Sequence, residues 1–274
     1  MNRRAFLAAS AGLVTGSIAL AHSRPAALTI GMQSYTFRNF NLERALQYMK
    51  QLGVENAEFY QAHVPAKSTP DQIKTILKLC QEYNVKPRAY GVQAFSKNHD
   101  NNKKMFDFGK ALGIEVFSAD PDPDAFDSLD KLCDEYKIAI AIHPHGPSGN
   151  NKMHRWYSAD IIMKAVKDHS PLIGSCMDTG HLIRSAQLGY NLDPAEEIRK
   201  MGARNFGVHL KDHDNKRKTD VVFGKGVLKV DEVFKALHDV NFKHMVSIEY
   251  EANPADPSPD VQACLDIVKQ VMKS

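Results

Sequence analysis

Eight short apolar stretches rich in β-branched residues recur along this chain, each followed by a polar or glycine-containing loop and then a segment of helical periodicity. The strand candidates are Leu28–Tyr35, Glu55–Tyr60, Lys86–Gln93, Ile114–Ala119, Ile138–His143, Leu172–Asp178, Asn205–Lys211 and Met245–Tyr250. The helical segments between and after them are Leu42–Leu52, Asp71–Tyr83, Asn102–Leu112, Ala125–Tyr136, Ala159–Asp168, Pro194–Met201, Val230–Asp239 and Asp260–Met272. Pro70-Asp71 and Pro259-Asp260 read as helix starts, and Gly53, Gly113 and Gly202 fall where helices stop. Strands alternating with helices in this way imply parallel βαβ units. Eight such units in about 250 residues make a (β/α)8 TIM barrel, in a single domain. An open doubly wound sheet tolerates the same alternation. No Gly-x-Gly-x-x-Gly follows the first strand, which removes the commonest reason to prefer a dinucleotide-binding fold.

The start of the chain reads differently. Asn2-Arg3-Arg4-Ala5-Phe6-Leu7 is a twin-arginine start, the run Ala8–Leu20 is apolar, and Ala19-Leu20-Ala21 is a small-x-small cleavage site. Residues 1–21 are thus expected to be a twin-arginine signal peptide, with the barrel over 22–274 and an exported or periplasmic destination. The apolar run is shorter than the roughly 20 residues a membrane helix needs, although an uncleaved anchor is the alternative. Loss of Arg3 and Arg4 lowers the formal charge from +3 to +1, which gives no electrostatic reason to expect nucleic acid or an anionic membrane as partner. Cys80, Cys133, Cys176 and Cys264 form no C-x-x-C pair and are expected as buried thiols. Nothing in the sequence specifies an oligomeric state.

Strand parity sorts inward from outward positions. In the fifth strand Ile138, Ile140 and Ile142 share one face, and Ala139, Ala141, His143 and His145 the other. The sixth groups Gly174, Cys176 and Asp178. The seventh groups Gly207, His209 and Lys211 against Phe206, Val208 and Leu210. The eighth groups Met245, Ser247, Glu249 and Glu251. The bulky faces belong against the surrounding helices, so His143, Asp178, His209 and Glu249 point inward at the C-terminal mouth, where barrel active sites lie. Two imidazoles and two carboxylates suit one divalent ion of the Mn2+, Co2+, Zn2+ or Fe2+ kind better than Ca2+ or Mg2+. Singly, an inward histidine is as readily a hydrogen-bonded core residue, and a strand-end aspartate a helix cap.

Five motifs carry a resemblance: Gly31-Met32-Gln33-Ser34-Tyr35, Asp178-Thr179-Gly180-His181, His209-Leu210-Lys211-Asp212, Gly224-Lys225-Gly226 and Ser247-Ile248-Glu249-Tyr250-Glu251. Over nearly the whole of residues 22–274 the chain resembles the xylose-isomerase-like barrels, which include sugar-phosphate isomerases and epimerases, ketose 3-epimerases, inosose dehydratase and endonuclease IV. The resemblance implies metal ligation by Asp178, His209 and Glu249. Many relatives carry Glu-Asn-His where this chain has His143-Pro144-His145, so the symmetric two-glutamate device of the ketose epimerases is missing one carboxylate.

The expected chemistry is that of a metal-dependent sugar isomerase or epimerase acting on an unphosphorylated sugar or keto-sugar through a metal-stabilised enediolate. Glu249 would remove the proton α to the carbonyl, and His143 would complete the metal shell or act as second acid/base. His181 and Lys211 are the further catalytic candidates, Lys211 either polarising an oxygen or pairing with Asp212. His145, Gln33 and Glu58 are candidates for binding the carbohydrate. A lyase eliminating from a 3-keto-glycoside or inosose-like substrate is the close alternative, since elimination needs one base and one acid. An inert sugar-binding barrel is the alternative from another class. Nuclease activity would need a more basic face than this near-neutral chain offers.

Overall fold

The computed structural model describes residues 28–149 and 151–273. The expected signal peptide and the boundary at residue 22 lie outside the described residues. The elements run, in order, β1 (Thr29–Gln33), α1 (Leu42–Gln51), β2 (Asn56–Phe59), α2 (Pro70–Glu82), β3 (Lys86–Phe95), α3 (His99–Leu112), β4 (Val116–Pro121), α4 (Phe126–Tyr136) and β5 (Ala139–Ile142). There follow a small hairpin of β6 (Pro147–Ser148) and β7 (Lys152–Met153), then α5 (Ala159–Val166), β8 (Ile173–Asp178), α6 (Thr179–Arg184), α7 (Pro194–Met201) and β9 (Asn205–Leu210). A second hairpin of β10 (Asp212–Asp214) and β11 (Thr219–Val221) precedes α8 (Val230–Asp239), β12 (Met245–Ile248) and α9 (Ser258–Val271).

Eight parallel strands close on themselves in the order β1-β2-β3-β4-β5-β8-β9-β12, each corresponding to one expected stretch. The closed (β/α)8 barrel is the fold. Strand ends differ from expectation where local chemistry intervenes. β1 stops at Gln33 because Ser34–Phe37 turns into a 3-10 helix, which Gln33 caps by accepting from the Tyr35 amide at 3.1 Å. α3 starts earlier than expected, at His99, because the Asn98 side chain caps it. The capping box of Thr69 and Gln72 starts α2 at Pro70, and Gly113 ends α3 in the left-handed region at φ 77°.

Parity separates two apolar layers. Ile140, Ile142, Met177, Val208, Leu210, Val246 and Ile248 belong to the large core between strands and helices, while Ala89, Val116, Ala139, Ala141, Cys176 and Met245 plug the barrel's interior. One expectation is corrected. Phe206, read as outward-facing, packs with the inner group. The register between β8 and β9 steps from Ser175↔Asn205 to Cys176↔Gly207, so Phe206 is the extra residue of a bulge and its ring turns inward. Gly174 makes room for it, since a Cβ there would meet the Phe206 ring at 2.8 Å. All four cysteines are buried and free. Among the described residues no helix is long and apolar enough to cross a membrane.

Candidate active site

β8, β9 and β12 run in register, with Asp178 level with His209 and His209 level with Ser247. Alternation then brings Glu249 up to the same mouth, and His143 follows the last residue of β5. His143, Asp178, His209 and Glu249 are all buried, and one ligand atom from each lies within 4.8 Å of the others. His143 Nε2 is 3.1 Å from His209 Nδ1 and 3.3 Å from Asp178 Oδ2. His209 Nδ1 is 3.7 Å from Asp178 Oδ2 and 3.0 Å from Glu249 Oε2. Ligands about 2.0–2.2 Å from one divalent ion are spaced at about these separations.

Second contacts aim the ligand atoms. His209 Nε2 donates to Glu58 Oε2 at 2.9 Å, which turns Nδ1 toward the cluster. Glu58 is held in turn by the hydroxyls of Ser118 and Ser247. Burial opposes ionisation of Glu58, but the charge of His209 and the bonds from His209 and Ser118 outweigh it, so its pKa is lowered. Asp178 divides its two oxygens. Oδ1 caps α6 by accepting from the His181 amide at 2.7 Å, and Oδ2 faces the cluster, so one residue serves as helix cap and candidate ligand.

The carboxylates stay charged in spite of burial. Glu249 is held down to about 2: desolvation pushes the other way, but Lys211 and His209 dominate together. Asp178 is likewise lowered, against its own burial, by Lys211 and the neighbouring imidazoles. The Lys211 ammonium lies 3.3 Å from Asp178 Oδ2 and 3.2 Å from Glu249 Oε2, and donates to Glu251. Burial disfavours this charge, yet the three carboxylates raise its pKa further. Asp178, Glu249 and Glu251 around a single ammonium leave the mouth of the barrel with an excess of negative charge, which favours a cation. Glu249 Oε2 is buried and is held by ion pairing alone, with the Lys211 ammonium at 3.2 Å and His209 Nδ1 at 3.0 Å. The donor set of two imidazoles and two carboxylates fits a bound metal.

A cavity of about 400 Å³ opens above the cluster. Gln33, His145, His181 and Lys211 line it, together with His143 and Glu249, as do Tyr35 and Tyr60. His181 Nδ1 accepts from the Gly146 amide at 3.1 Å, which leaves the proton of the neutral ring on Nε2. Desolvation lowers the pKa of His181 well below its usual range, and lowers that of His145 to about 4 with help from His143. The His145 and His181 rings lie with centroids 3.8 Å apart.

One expected placement differs, and one of the two alternatives for Lys211 is not formed. Glu58 does not line the cavity; it sits beneath the cluster, bonded to His209, Ser118 and Ser247, beside the inward-facing Ala89, Cys176 and Met245 that plug the barrel. Lys211 does not pair with Asp212. The Asp212 carboxylate instead accepts from the backbone amides of His213, Gly224, Gly226, Val227 and Leu228, at 2.8–3.0 Å. Gly226 is required there, since a Cβ would collide with Asp212 Oδ1. Glu251, on the inward face that parity gave it, also lines the cavity, as do Arg184, Asp120 and His154, which were not singled out from sequence. Arg184 lies three residues beyond His181 on one helix face, so recognising α6 would have pointed to it.

The comparisons with known proteins agree with this architecture. An inosose dehydratase 2 from Bacillus cereus is 28% identical over 153 residues, covering 50% of this chain and 48% of the relative, so the chain matches about half that relative's length. A crystal structure of an uncharacterised protein from Parabacteroides distasonis superposes with a TM-score of 0.68 at 26% identity, over 89% of this chain and 98% of that one. A D-psicose 3-epimerase from Clostridium cellulolyticum, solved with D-tagatose, gives 0.70 at 15% identity, over 89% and 99% of the two chains, which shows a shared fold. The model of the xylose isomerase-like TIM barrel family matches residues 46–270, from α1 into α9, and with the closed barrel and its mouth already described, this chain belongs to that family.

Proposed function

We propose that the chain is a divalent-metal-dependent sugar isomerase or epimerase acting on an unphosphorylated sugar or keto-sugar. The observation that carries this reading is the buried cluster of His143, Asp178, His209 and Glu249 under a polar cavity of about 400 Å³. A divalent cation held by these four residues supplies Lewis acidity to a sugar carbonyl and its neighbouring hydroxyl. Glu249, ionised, presents its carboxylate as the acceptor for a proton α to that carbonyl. Lys211 offsets the negative charge that develops beside it, and His181 offers Nε2–H to a substrate hydroxyl. Gln33 and His145 complete the polar wall.

The absence of phosphate from the substrate is supported by where the cations and amides are spent. Lys211 is engaged by Asp178, Glu249 and Glu251, and Arg184 donates to Asp220 at 2.8 Å. The amides of the Gly224-Lys225-Gly226 loop, which would otherwise form an anion cradle, close on the Asp212 carboxylate. The twin-arginine start belongs to the same proposal, since export removes an enzyme from the phosphorylated sugars of the cell interior.

A second reading, elimination by a lyase, is favoured by one feature. The β12 side of the cavity presents a carboxylate, and the β5 and α6 side presents the imidazoles of His143, His145 and His181. That is one carboxylate base facing imidazole hydrogen-bond donors, not two equivalent carboxylate bases. The test is metal analysis of the purified protein followed by NMR in D2O with a panel of keto-sugars. Deuterium entering the carbon α to the carbonyl, with a stereoisomer or positional isomer accumulating, is expected. An unsaturated product moves the reading to the lyase. Protein without stoichiometric metal that binds sugar without exchange leaves only a sugar-binding barrel.

A further inference from the structure

The reaction cavity has a neighbour. Arg184 and Glu251 line both the cavity above the cluster and a second one of about 340 Å³, which Gln187, Lys218, His213 and Asp220 also line. The dividing residues are held on both sides. Arg184 donates to Asp220 Oδ1 at 2.8 Å and lies 3.7 Å from Glu251 Oε1, while Glu251 accepts from Lys211 and, through its carbonyl, from Arg38 at 2.6 Å. A chain of polar contacts thus joins the reaction site to the second cavity.

The chemistry of that second cavity is balanced. Arg184 and Lys218 are offset by Asp220 and Glu251, so an anionic group gains no net attraction there. Gln187, Thr219 and the charged side chains offer both donors and acceptors, which is what a neutral polyhydroxylated group requires. No Phe, Tyr or Trp lines the cavity among the described residues, which gives no platform for a flat apolar aglycone. We propose that this cavity is a subsite for a second, neutral sugar unit, so that the substrate is a disaccharide or comparable glycoside whose carbonyl-bearing ring sits over the cluster. The proposal rests on the functional reading above and names the substrate class for that same site.

Calorimetry on the full metal-loaded protein tests it with D-fructose and with lactulose and isomaltulose, in which a second hexose is linked to a fructose unit. Binding of at least one disaccharide about tenfold tighter than fructose is expected, the weight of one or two additional hydrogen bonds. Gln187 and Lys218 are exposed, so a Gln187→Leu/Lys218→Met variant is expected to fold, and its metal affinity provides the check. In that variant the disaccharide-to-fructose affinity ratio should collapse toward one. Equal wild-type affinities, or a ratio the variant leaves intact, overturn the subsite while leaving the functional reading standing. Failure of all three sugars to bind metal-loaded protein overturns both.

Discussion

Glu58 Oε2 accepts a hydrogen bond from His209 Nε2 at 2.9 Å, linking β2 to a strand that is not its neighbour in the barrel. A carboxylate behind a ligating imidazole fixes the ring and raises its basicity. Glu58→Gln keeps the shape but removes the charge, and the uncharged amide can present its nitrogen to the ring. Affinity for Mn2+ or Zn2+ is expected to fall by about 10- to 100-fold. Calorimetry measures that loss, and 15N NMR of the His209 ring reads the protonation pattern directly. Wild-type affinity with an unchanged ring spectrum would remove Glu58 from the site.

Metal binding should also be visible as stability. A ligand at about 100 times its Kd raises folding stability by about 2.7 kcal/mol. Wild-type protein is expected to show a corresponding upward thermal shift with Mn2+, Co2+ or Zn2+. Asp178→Asn retains an oxygen to cap α6 while losing the charge at the cluster, so the variant separates ligand from cap. The shift should shrink severely in Asp178→Asn and in Glu249→Gln. A full shift in both would refute the ligand set.

Gly180 of the Asp-Thr-Gly-His motif touches the stem of Lys211. A Cβ at Gly180 would lie 2.7 Å from Lys211 Cδ and 2.8 Å from Cγ. Neither position is the free end of the side chain, so Gly180→Ala must move the ammonium away from Asp178 and Glu249. The expected stability cost is about 1–3 kcal/mol, in the range of other overpacked cores. Gly180→Ala is also expected to lose most of the proton exchange into substrate, as Lys211→Met should, which NMR in D2O measures. Full exchange activity in Gly180→Ala would show that the position of Lys211 is unimportant.

Asp220 links stability to pH. Burial opposes its ionisation, but the hydrogen bond from His213 and the charges of Lys211 and Arg184 lower its pKa from the ordinary 3.8. A lowered folded pKa contributes stability that is complete above 3.8 and is lost as the pH falls through the folded value. The melting-temperature gap between wild type and Asp220→Asn should therefore be full at neutral pH and narrow only in acid below 3.8. Thermal melts from neutral pH into acid provide the measurement, and a gap independent of pH would exclude the linkage.

The eight-unit alternation was legible because a strand reads with period two and a helix with period near 3.6, both local properties of the chain. Parity then placed Asp178, His209 and Glu249 on one inward face without knowledge of any contact, and it put His143 beside them although that residue departs from the family's pattern. Parity failed at Phe206, where a single inserted residue in the β8–β9 register reverses the face. It also carried no depth, which is why Glu58 was expected at the substrate.

Sequence alone thus determined the barrel and which side chains share its axis, since alternation and strand order are one-dimensional. The tertiary structure decided what those side chains do to one another. A hydrogen bond across the barrel's interior set Glu58 beneath His209 and not in the cavity wall. Through-space distances gave Lys211 to three carboxylates and left Asp212 to a ring of backbone amides. The meeting of two cavities at Arg184 and Glu251 arose from residues far apart in the chain, brought together because β8 and β12 pair with either side of β9.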